Sequence, residues 1–210
     1  MAPSTSIPTS VQPRQNPSDE LLAVALEQFA SAGFAGTSLQ QIADAAGYSK
    51  SSVLYHFASK EAVLEAALSP AIDRLEQVLA SVTDLRSGPA KLQEFVEHFI
   101  DFLFEYRLEV HTFINQGQSL VGIPVIDRAN ATVRKLAETC ATDFDSVEDQ
   151  VRFGVALGGA AYALVAGANF GEDTMQRPEV RSALITIVAG LLDPAQSHSA
   201  QSISTIEING

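Results

Sequence analysis

Apolar residues recur at spacings of three and four through most of this chain, and no segment alternates apolar and polar residues with a period of two. Such spacing puts apolar side chains on one face of an α-helix. In the first such segment Leu26 and Phe29 lie on the apolar face, Ser18 can cap the start, and Gly33 follows the end. The pattern predicts an all-α protein.

Two short helices are predicted after the first. In the segment TSLQ, Thr37 can cap a helix start, and Gln40, three residues later, can complete a capping box. Gly47 is expected to end this helix, and Ser49 can cap another that runs to about His56. The N-terminal part of the chain is therefore expected to contain three helices joined by tight turns.

Longer helices are predicted after residue 58. Ser59 can cap a fourth helix, in which the apolar pattern continues past Pro70 with a bend at the proline. An apolar stripe follows Gly88 and Pro89, and later helical segments are separated by breaks that contain Gly, Pro or Asp. These later segments cover about 108–118, 124–141, 146–170 and 178–192.

The formal charge of −12 repels nucleic acid and anionic membranes at long range. A nucleic-acid-binding surface would need a local exception, and the sequence contains one. Between Asp44 and Glu61 there is no acidic residue, whereas Lys50, His56 and Lys60 all lie there. We call this stretch the acid-free segment.

The acid-free segment also has the features of a helix-turn-helix. Ala46 and Gly47 at the turn are small, which allows the two flanking helices to approach closely, and the second helix can then enter a DNA major groove. Lysine can bind phosphate or guanine acceptors, and hydroxyl groups can bond to phosphates or base edges. The candidate DNA-binding residues are Thr37, Ser38, Tyr48, Lys50, Ser51, Ser52, Tyr55, His56 and Lys60.

These residues also have structural interpretations. The segment could be a solvated turn between helices, Tyr48 could pack on that turn, and Lys60 could be a solvated cation. Val53, Leu54 and Phe57 are expected to face the core. Only their surroundings can separate the two interpretations.

The elements predict an N-terminal three-helix helix-turn-helix domain, residues 18–68, followed by a C-terminal helical bundle, residues 69–194. The two ends, residues 1–17 and 195–210, are rich in Ser and other polar residues and have no helical periodicity. Such composition predicts a disordered arm and a disordered tail.

The segment Thr37–Leu64, TSLQQIADAAGYSKSSVLYHFASKEAVL, resembles the DNA-binding domain of the TetR family of bacterial transcriptional regulators. The preceding ALEQFASAGFAGTS is similar to that family's first helix and Gly-Phe turn, so the resemblance covers about residues 18–68. Members of the family usually have tyrosine at the position of Leu54, glycine at that of Ser51 and threonine at that of Ser52.

The resemblance implies a homodimeric, ligand-responsive transcriptional repressor, in which residues 69–194 bind the ligand and dimerise. Each protomer is expected to insert its recognition helix into one half of a palindromic double-stranded operator. An unidentified small-molecule effector in the bundle would tilt the long fourth helix and change the spacing of the two recognition helices.

Aromatic residues recur at helical spacing in the bundle. Their default role is in the core, but aromatic-lined space between helices can also hold an apolar ligand. A glutamine could add a polar contact, and a tyrosine hydroxyl requires a partner. The candidate pocket residues are Phe95, Phe99, Phe102, Phe113, Gln116 and Tyr162.

The segment 146–170 is rich in glycine, and each glycine within a helix costs about 1 kcal/mol relative to alanine. Close helix packing could offset this cost, either within the chain or between two chains. Together with the apolar segment 178–192, two such helices from each of two chains would form a four-helix interface. The candidate interface residues are Gly154, Gly158, Leu184, Ile187, Val188 and Leu191.

Other chemistry has little support. The lone Cys140 excludes an intramolecular disulfide and a multi-cysteine metal site. Four carboxylates recur at helical spacing beside His98, which permits either a metal site or, as we interpret it, a solvated acidic face. The four are Glu94, Glu97, Asp101 and Glu105.

No nucleophile–base pair or phosphate-binding loop is evident, so we expect neither enzyme activity nor a cofactor. The N-terminus lacks a secretory signal, and the longest apolar run, residues 153–168, is too short to span a membrane. We therefore expect a cytoplasmic protein with no membrane partner. The alternative function is that of a helical-bundle protein that binds small molecules or other proteins and does not bind DNA.

Overall fold

The computed structural model describes residues 16–80, 88–143, 146–167 and 178–193, with the side chains of 139–143 excepted. Within these ranges all regular structure is helical, which confirms the expected fold class. The helices are α1 (Pro17–Ala32), α2 (Leu39–Ala46), α3 (Lys50–His56), α4 (Lys60–Ala80), α5 (Pro89–Glu105), α6 (Arg107–Gln116), α7 (Pro124–Asp143), α8 (Val147–Gly167) and α9 (Pro178–Leu192), with a 3-10 turn at Gly117–Leu120.

Helix α1 begins slightly earlier than expected. Asn16, not Ser18, is the N-cap, and its side chain accepts a hydrogen bond from the backbone N–H of Ser18 at 3.3 Å. Pro17 occupies the first helical position, where its missing N–H costs nothing and its fixed φ suits the helix. Asn16 and Pro17, which were predicted to belong to the disordered arm, are therefore part of the start of α1. Residues 1–15 and the predicted tail, residues 195–210, lie outside the described residues.

The capping box of α2 is shifted by one residue from the predicted one. Ser38 is the N-cap, its hydroxyl accepts from the N–H of Gln41, and Gln41 Oε1 accepts from the N–H of Ser38 at 2.8 Å. The expected pair of Thr37 and Gln40 is therefore wrong. The physical reason is that the Thr37 side chain turns inward, as described below.

Tight turns position α3 against the first two helices. Gly47 ends α2 with φ of +74°, a left-handed conformation that residues with a side chain rarely adopt. Ser49 then caps α3 as expected, because its hydroxyl accepts from the N–H of Ser52 at 3.1 Å. Val53 and Phe57 are buried in the core formed with α1 and α4.

Two hydrophobic clusters organise the molecule. The first joins α1–α4 and also contains residues from the start of α7, among them Val125 and Ile126. The second joins the later part of α4 to α5, α8 and α9. The expected border at 68/69 falls inside α4, so this single helix contributes residues to both clusters and connects them.

Polar contacts reinforce the same arrangement. Arg128 on α7 donates to Asp73 and Glu76 on α4, each at 2.6 Å, and Arg181 on α9 donates to Asp101 on α5 at 2.6 and 2.9 Å. These pairs are partly exposed, so each contributes little to stability. Among the described helices none is long and apolar enough to cross a membrane.

Candidate DNA-binding surface and ligand cavity

Helix α3 presents one face to solvent. Lys50 and Leu54, and likewise Ser51 and Tyr55, are four residues apart and so lie above one another on the helix surface. All four are exposed, Tyr55 to 86% and Leu54 to 45%. The expectation that Leu54 faces the core is wrong, because Val53 fills the position against α1 and α4.

The outer face of α3 combines donors with apolar surface. The Ser49 hydroxyl lies 2.9 Å from the hydroxyls of both Ser51 and Ser52, and Tyr55 forms an edge-on ring contact with exposed His56 at 5.2 Å. Ammonium, hydroxyl and phenol groups can donate to phosphate oxygens or base edges, and a leucine side chain can contact a thymine methyl group. The exposed side chains of α3 are therefore chemically suited to contact DNA in a groove.

Three of the other candidate DNA-binding residues have structural roles. The Thr37 side chain is 3% exposed, and its hydroxyl points to the backbone oxygens of Gly33 and Gln28 at 2.8 and 3.2 Å. The Tyr48 hydroxyl donates to Glu20 Oε2 at 2.8 Å, and this hydrogen bond raises the pKa of Tyr48.

Lys60 is the third. Its ammonium group donates to the backbone oxygens of Phe34 and Thr37 at 2.6 and 2.7 Å and lies 4.2 Å above the centre of the Phe34 ring. It therefore ties the start of α4 to the α1–α2 turn. A cation held in this way is not available to a phosphate, and the Thr37 hydroxyl is turned toward backbone oxygens. Lys60 and Thr37 are therefore removed from the candidate DNA contacts.

Ser38 remains on the surface at the start of α2, where it caps the helix. The positive charge of this surface rests on Lys50, because Lys60 is turned toward backbone oxygens.

A cavity of about 660 Å³ lies between α4, α5, α6, α7 and α8. A volume of this size is typical of sites that bind small organic ligands. Four of the candidate pocket residues line it, namely Phe99, Phe102, Phe113 and Tyr162. Phe95 does not, because it is buried among the residues of the second cluster.

Gln116 does not line the cavity either. Its side-chain amide donates to the backbone oxygen of Phe29 at 2.7 Å, and its Oε1 accepts from the backbone N–H of Phe34 at 2.6 Å. Both partners belong to the end of α1 and the turn that follows. Gln116 therefore holds the C-terminal end of α6 against the helix-turn-helix domain.

The cavity wall contains polar residues that the sequence interpretation did not include. Glu109 on α6 and Gln150 on α8 both line it. Burial among apolar residues raises the pKa of Glu109, and nearby Glu105 raises it further, against an opposing hydrogen bond from its own backbone. The available sequence signal was the spacing of four residues between Glu109 and Phe113, which puts both on one face of α6.

The candidate interface residues fall into two groups. Gly154 and Gly158 are exposed and line the cavity, and a methyl group added at either position would meet no atom within 4 Å, so packing within the described chain does not account for them. Ile187 is 58% exposed. Leu184, Val188 and Leu191 instead pack into the second cluster, and Val188 is 2% exposed, so it does not lie on an outer face.

The acidic residues of α5 are engaged by neighbouring polar side chains. Asp101 pairs with Arg181, Glu94 with Lys91 at 2.9 Å, and Glu97 accepts from Gln93 at 2.7 Å. These contacts lower the pKa of Asp101 and of Glu94, chiefly through hydrogen bonds from Arg181 and Lys91. Within the described parts of the chain, no group of three or more His, Cys, Asp or Glu could hold a metal ion.

Comparison with known proteins shows that the N-terminal domain is similar to those of bacterial transcriptional regulators. The family model described as bacterial regulatory proteins, tetR family, matches residues 21–67. The chain is 32% identical over 106 residues to the HTH-type transcriptional regulator RutR of Escherichia coli, covering 50% of this chain and 49% of RutR. It is 38% identical over 128 residues to the HTH-type transcriptional repressor KstR2 of Mycolicibacterium smegmatis, covering 60% of each chain.

The likeness to solved structures extends over most of the chain. A TetR-family transcriptional regulator from Bordetella parapertussis superposes with a TM-score of 0.67 at 20% sequence identity, covering 86% of this chain and 95% of that one. At this identity the match concerns the fold alone. In sequence, the chain spans about half to three fifths of the length of the curated relatives it matches.

Proposed function

The chain belongs to the TetR family of bacterial regulatory proteins, and from this premise we propose that it is a homodimeric transcriptional repressor that a small molecule releases from its operator. The observation that carries the proposal is the outer face of α3. A tyrosine that is 86% exposed, beside an exposed leucine and lysine, belongs to neither hydrophobic cluster of the described residues. Exposed apolar and aromatic groups of this kind mark a surface that meets a partner.

DNA is the partner that the charge distribution favours. Lys50 and His56 lie in a segment without acidic residues, while the chain as a whole carries a charge of −12. Buried Val53 and Phe57 fix the orientation of α3, so that Lys50, Ser51 and Tyr55 project together. A short, firmly held helix with donors on its outer face is suited to the major groove.

A test of DNA binding needs no knowledge of the effector. Fluorescence anisotropy should detect tighter binding of the full chain to DNA from upstream of its own gene than to unrelated DNA of equal length. Few cationic side chains face the DNA, so the affinity should depend only shallowly on salt. Equal affinity for both DNAs would favour the alternative, a helical-bundle protein that does not recognise an operator.

A second copy of the chain is the proposed partner of α8 and α9. On α8 an exposed apolar stripe contains Val151, Val155 and Tyr162 beside Gly158, and Ile187 is exposed on the adjacent α9. Two such helix pairs related by a twofold axis would form a four-helix interface, in which glycines permit close approach. A twofold axis also matches the two halves of a palindromic operator.

The dimer can be tested with one apolar-to-acidic substitution. Val155→Asp should convert the dimer to monomers at micromolar concentration, because a twofold interface would bury two facing carboxylates without partners. Sedimentation velocity measures the outcome. Val121→Asp is the matched control, since Val121 is also exposed but lies in the α6–α7 connection, and it should leave the dimer intact. A monomeric native chain, or a dimeric Val155→Asp variant, would contradict the proposed interface.

The cavity is the proposed effector site, because two helices that line it also contact the helix-turn-helix domain. Helix α4 begins at Lys60, bonded to the α1–α2 turn, and lines the cavity further along with Leu75. Helix α6 lines the cavity with Phe113 and holds the same turn through Gln116. A ligand that favours one position of these helices would favour one spacing of the two recognition helices.

A further inference from the structure

The wall of the cavity is almost entirely apolar. Of the described residues that line it, only Glu109, Gln150 and Tyr162 carry polar side chains. Glu109 is the one carboxyl group among them, and no Lys, Arg or His is part of this described lining. An acidic group in an apolar wall is costly unless something pairs with it.

Glu109 faces the cavity with the apolar residues of its own helix. Val110, Phe113 and Ile114 of α6 line the cavity beside it. Among the described residues, no other side chain forms a hydrogen bond or ion pair with its carboxylate. The raised pKa of Glu109, caused first by burial, reflects the same lack of a compensating charge.

We propose that the cavity binds a lipophilic cation, an amine with a bulky or extended hydrocarbon part, and that Glu109 pairs with its ammonium group. This inference rests on the proposed function, since it specifies the effector of the same cavity. The hydrocarbon part fills the apolar space, and the ammonium group supplies the partner that the protein does not.

The aromatic residues of the wall favour the same ligand. Phe99, Phe102 and Phe113 line the cavity, and the negative face of an aromatic ring attracts an organic cation. Fatty acids and other apolar anions are disfavoured because their carboxylate would meet Glu109 and find no cationic side chain in the described lining. Head-group charge is therefore the property by which this cavity selects.

Three probes with the same tail test the proposal on the full chain. Isothermal titration calorimetry at neutral pH should compare decylamine, decanol and decanoate below the concentrations at which they form micelles. Decylamine should bind at least about 10-fold more tightly than decanol, which corresponds to about 1.4 kcal/mol, and decanoate should bind most weakly. Equal affinity for the three probes, or no binding of decylamine, would overturn the inference.

Two variants separate Glu109 from the general negative charge of the chain. Glu109→Gln should reduce the preference for decylamine over decanol to less than about 2-fold, whereas Glu105→Gln, which removes an exposed carboxylate of α5 outside the described lining, should preserve it. If Glu109→Gln still prefers decylamine over decanol, the preference arises from overall charge, and the inference is overturned. Operator binding is measured without any probe. Absence of operator binding would therefore contradict the proposed function independently of the calorimetric result.

Discussion

Lys50→Glu is expected to weaken operator binding at least about 100-fold. A base or phosphate contact made by one basic side chain contributes about 1–3 kcal/mol, and a dimer loses the contact in both half-sites. Reversal of the charge adds repulsion from the phosphates within the acid-free segment, which otherwise carries no acidic residue. Fluorescence anisotropy with a fixed operator fragment and fixed salt gives the ratio of dissociation constants.

Lys91→Glu is the matched control for this variant. It makes the same change in net charge at an exposed position of α5, outside the helix-turn-helix domain, and the dissociation constant should change by less than about 2-fold. Equal losses in the two variants would show that overall charge, and not the outer face of α3, determines binding.

Gln116→Ala is expected to disconnect the cavity from the DNA-binding domain. The side chain makes two partly buried hydrogen bonds, one to the end of α1 and one to the α1–α2 turn. Their removal leaves the N–H of Phe34 and the oxygen of Phe29 without this partner. Coupling between an effector site and a second site typically changes affinity 5- to 150-fold. In the variant, the change in operator affinity caused by a cavity ligand should fall below about 2-fold.

The measurement compares operator affinity with and without the cavity ligand, while calorimetry checks that the ligand still binds. Gln118→Ala is the control, because Gln118 is exposed on the following 3-10 turn, and it should keep the full response. An unchanged response in Gln116→Ala would mean that α4 alone transmits the signal through Lys60 and the helix axis.

Local features of the N-terminal domain could be predicted because they depend on residues close in sequence. The Ser49 cap, the Gly47 turn and the burial of Val53 follow from spacing within α3 and its turn. The cap of α2 was ambiguous, because both Thr37 and Ser38 can cap and each is followed three residues later by glutamine. The inward position of the Thr37 side chain, fixed by backbone oxygens of α1 and its end, decides between them.

Long-range contacts account for the roles that the sequence did not reveal. Lys60 and Gln116 both bind backbone atoms around Phe34, which lie 26 and 82 residues away along the chain. No spacing rule connects residues so distant. The role of Glu109 could not be predicted from the sequence either, because it depends on the apolar residues that four other helices place around the cavity.

The residues of the proposed dimer interface also depend on packing between helices that are distant in sequence. Apolar periodicity in α9 identified Ile187 and Val188 equally, but the packing of α9 on α5 and α8 buries Val188 and leaves Ile187 outside. Gly154 and Gly158 of α8 were identified as sites of close approach, and a methyl group added at either would meet no atom of the described chain within 4 Å. A second copy is the partner that remains to be tested.

Selection of DNA from a random-sequence library with the full chain is the most direct test of operator recognition. We expect enrichment of an inverted repeat whose half-sites are separated by about one helical turn or a multiple of it, and loss of this enrichment in Lys50→Glu but not in Lys91→Glu. A library that yields no common motif with the native chain, or the same motif with Lys50→Glu, would contradict it.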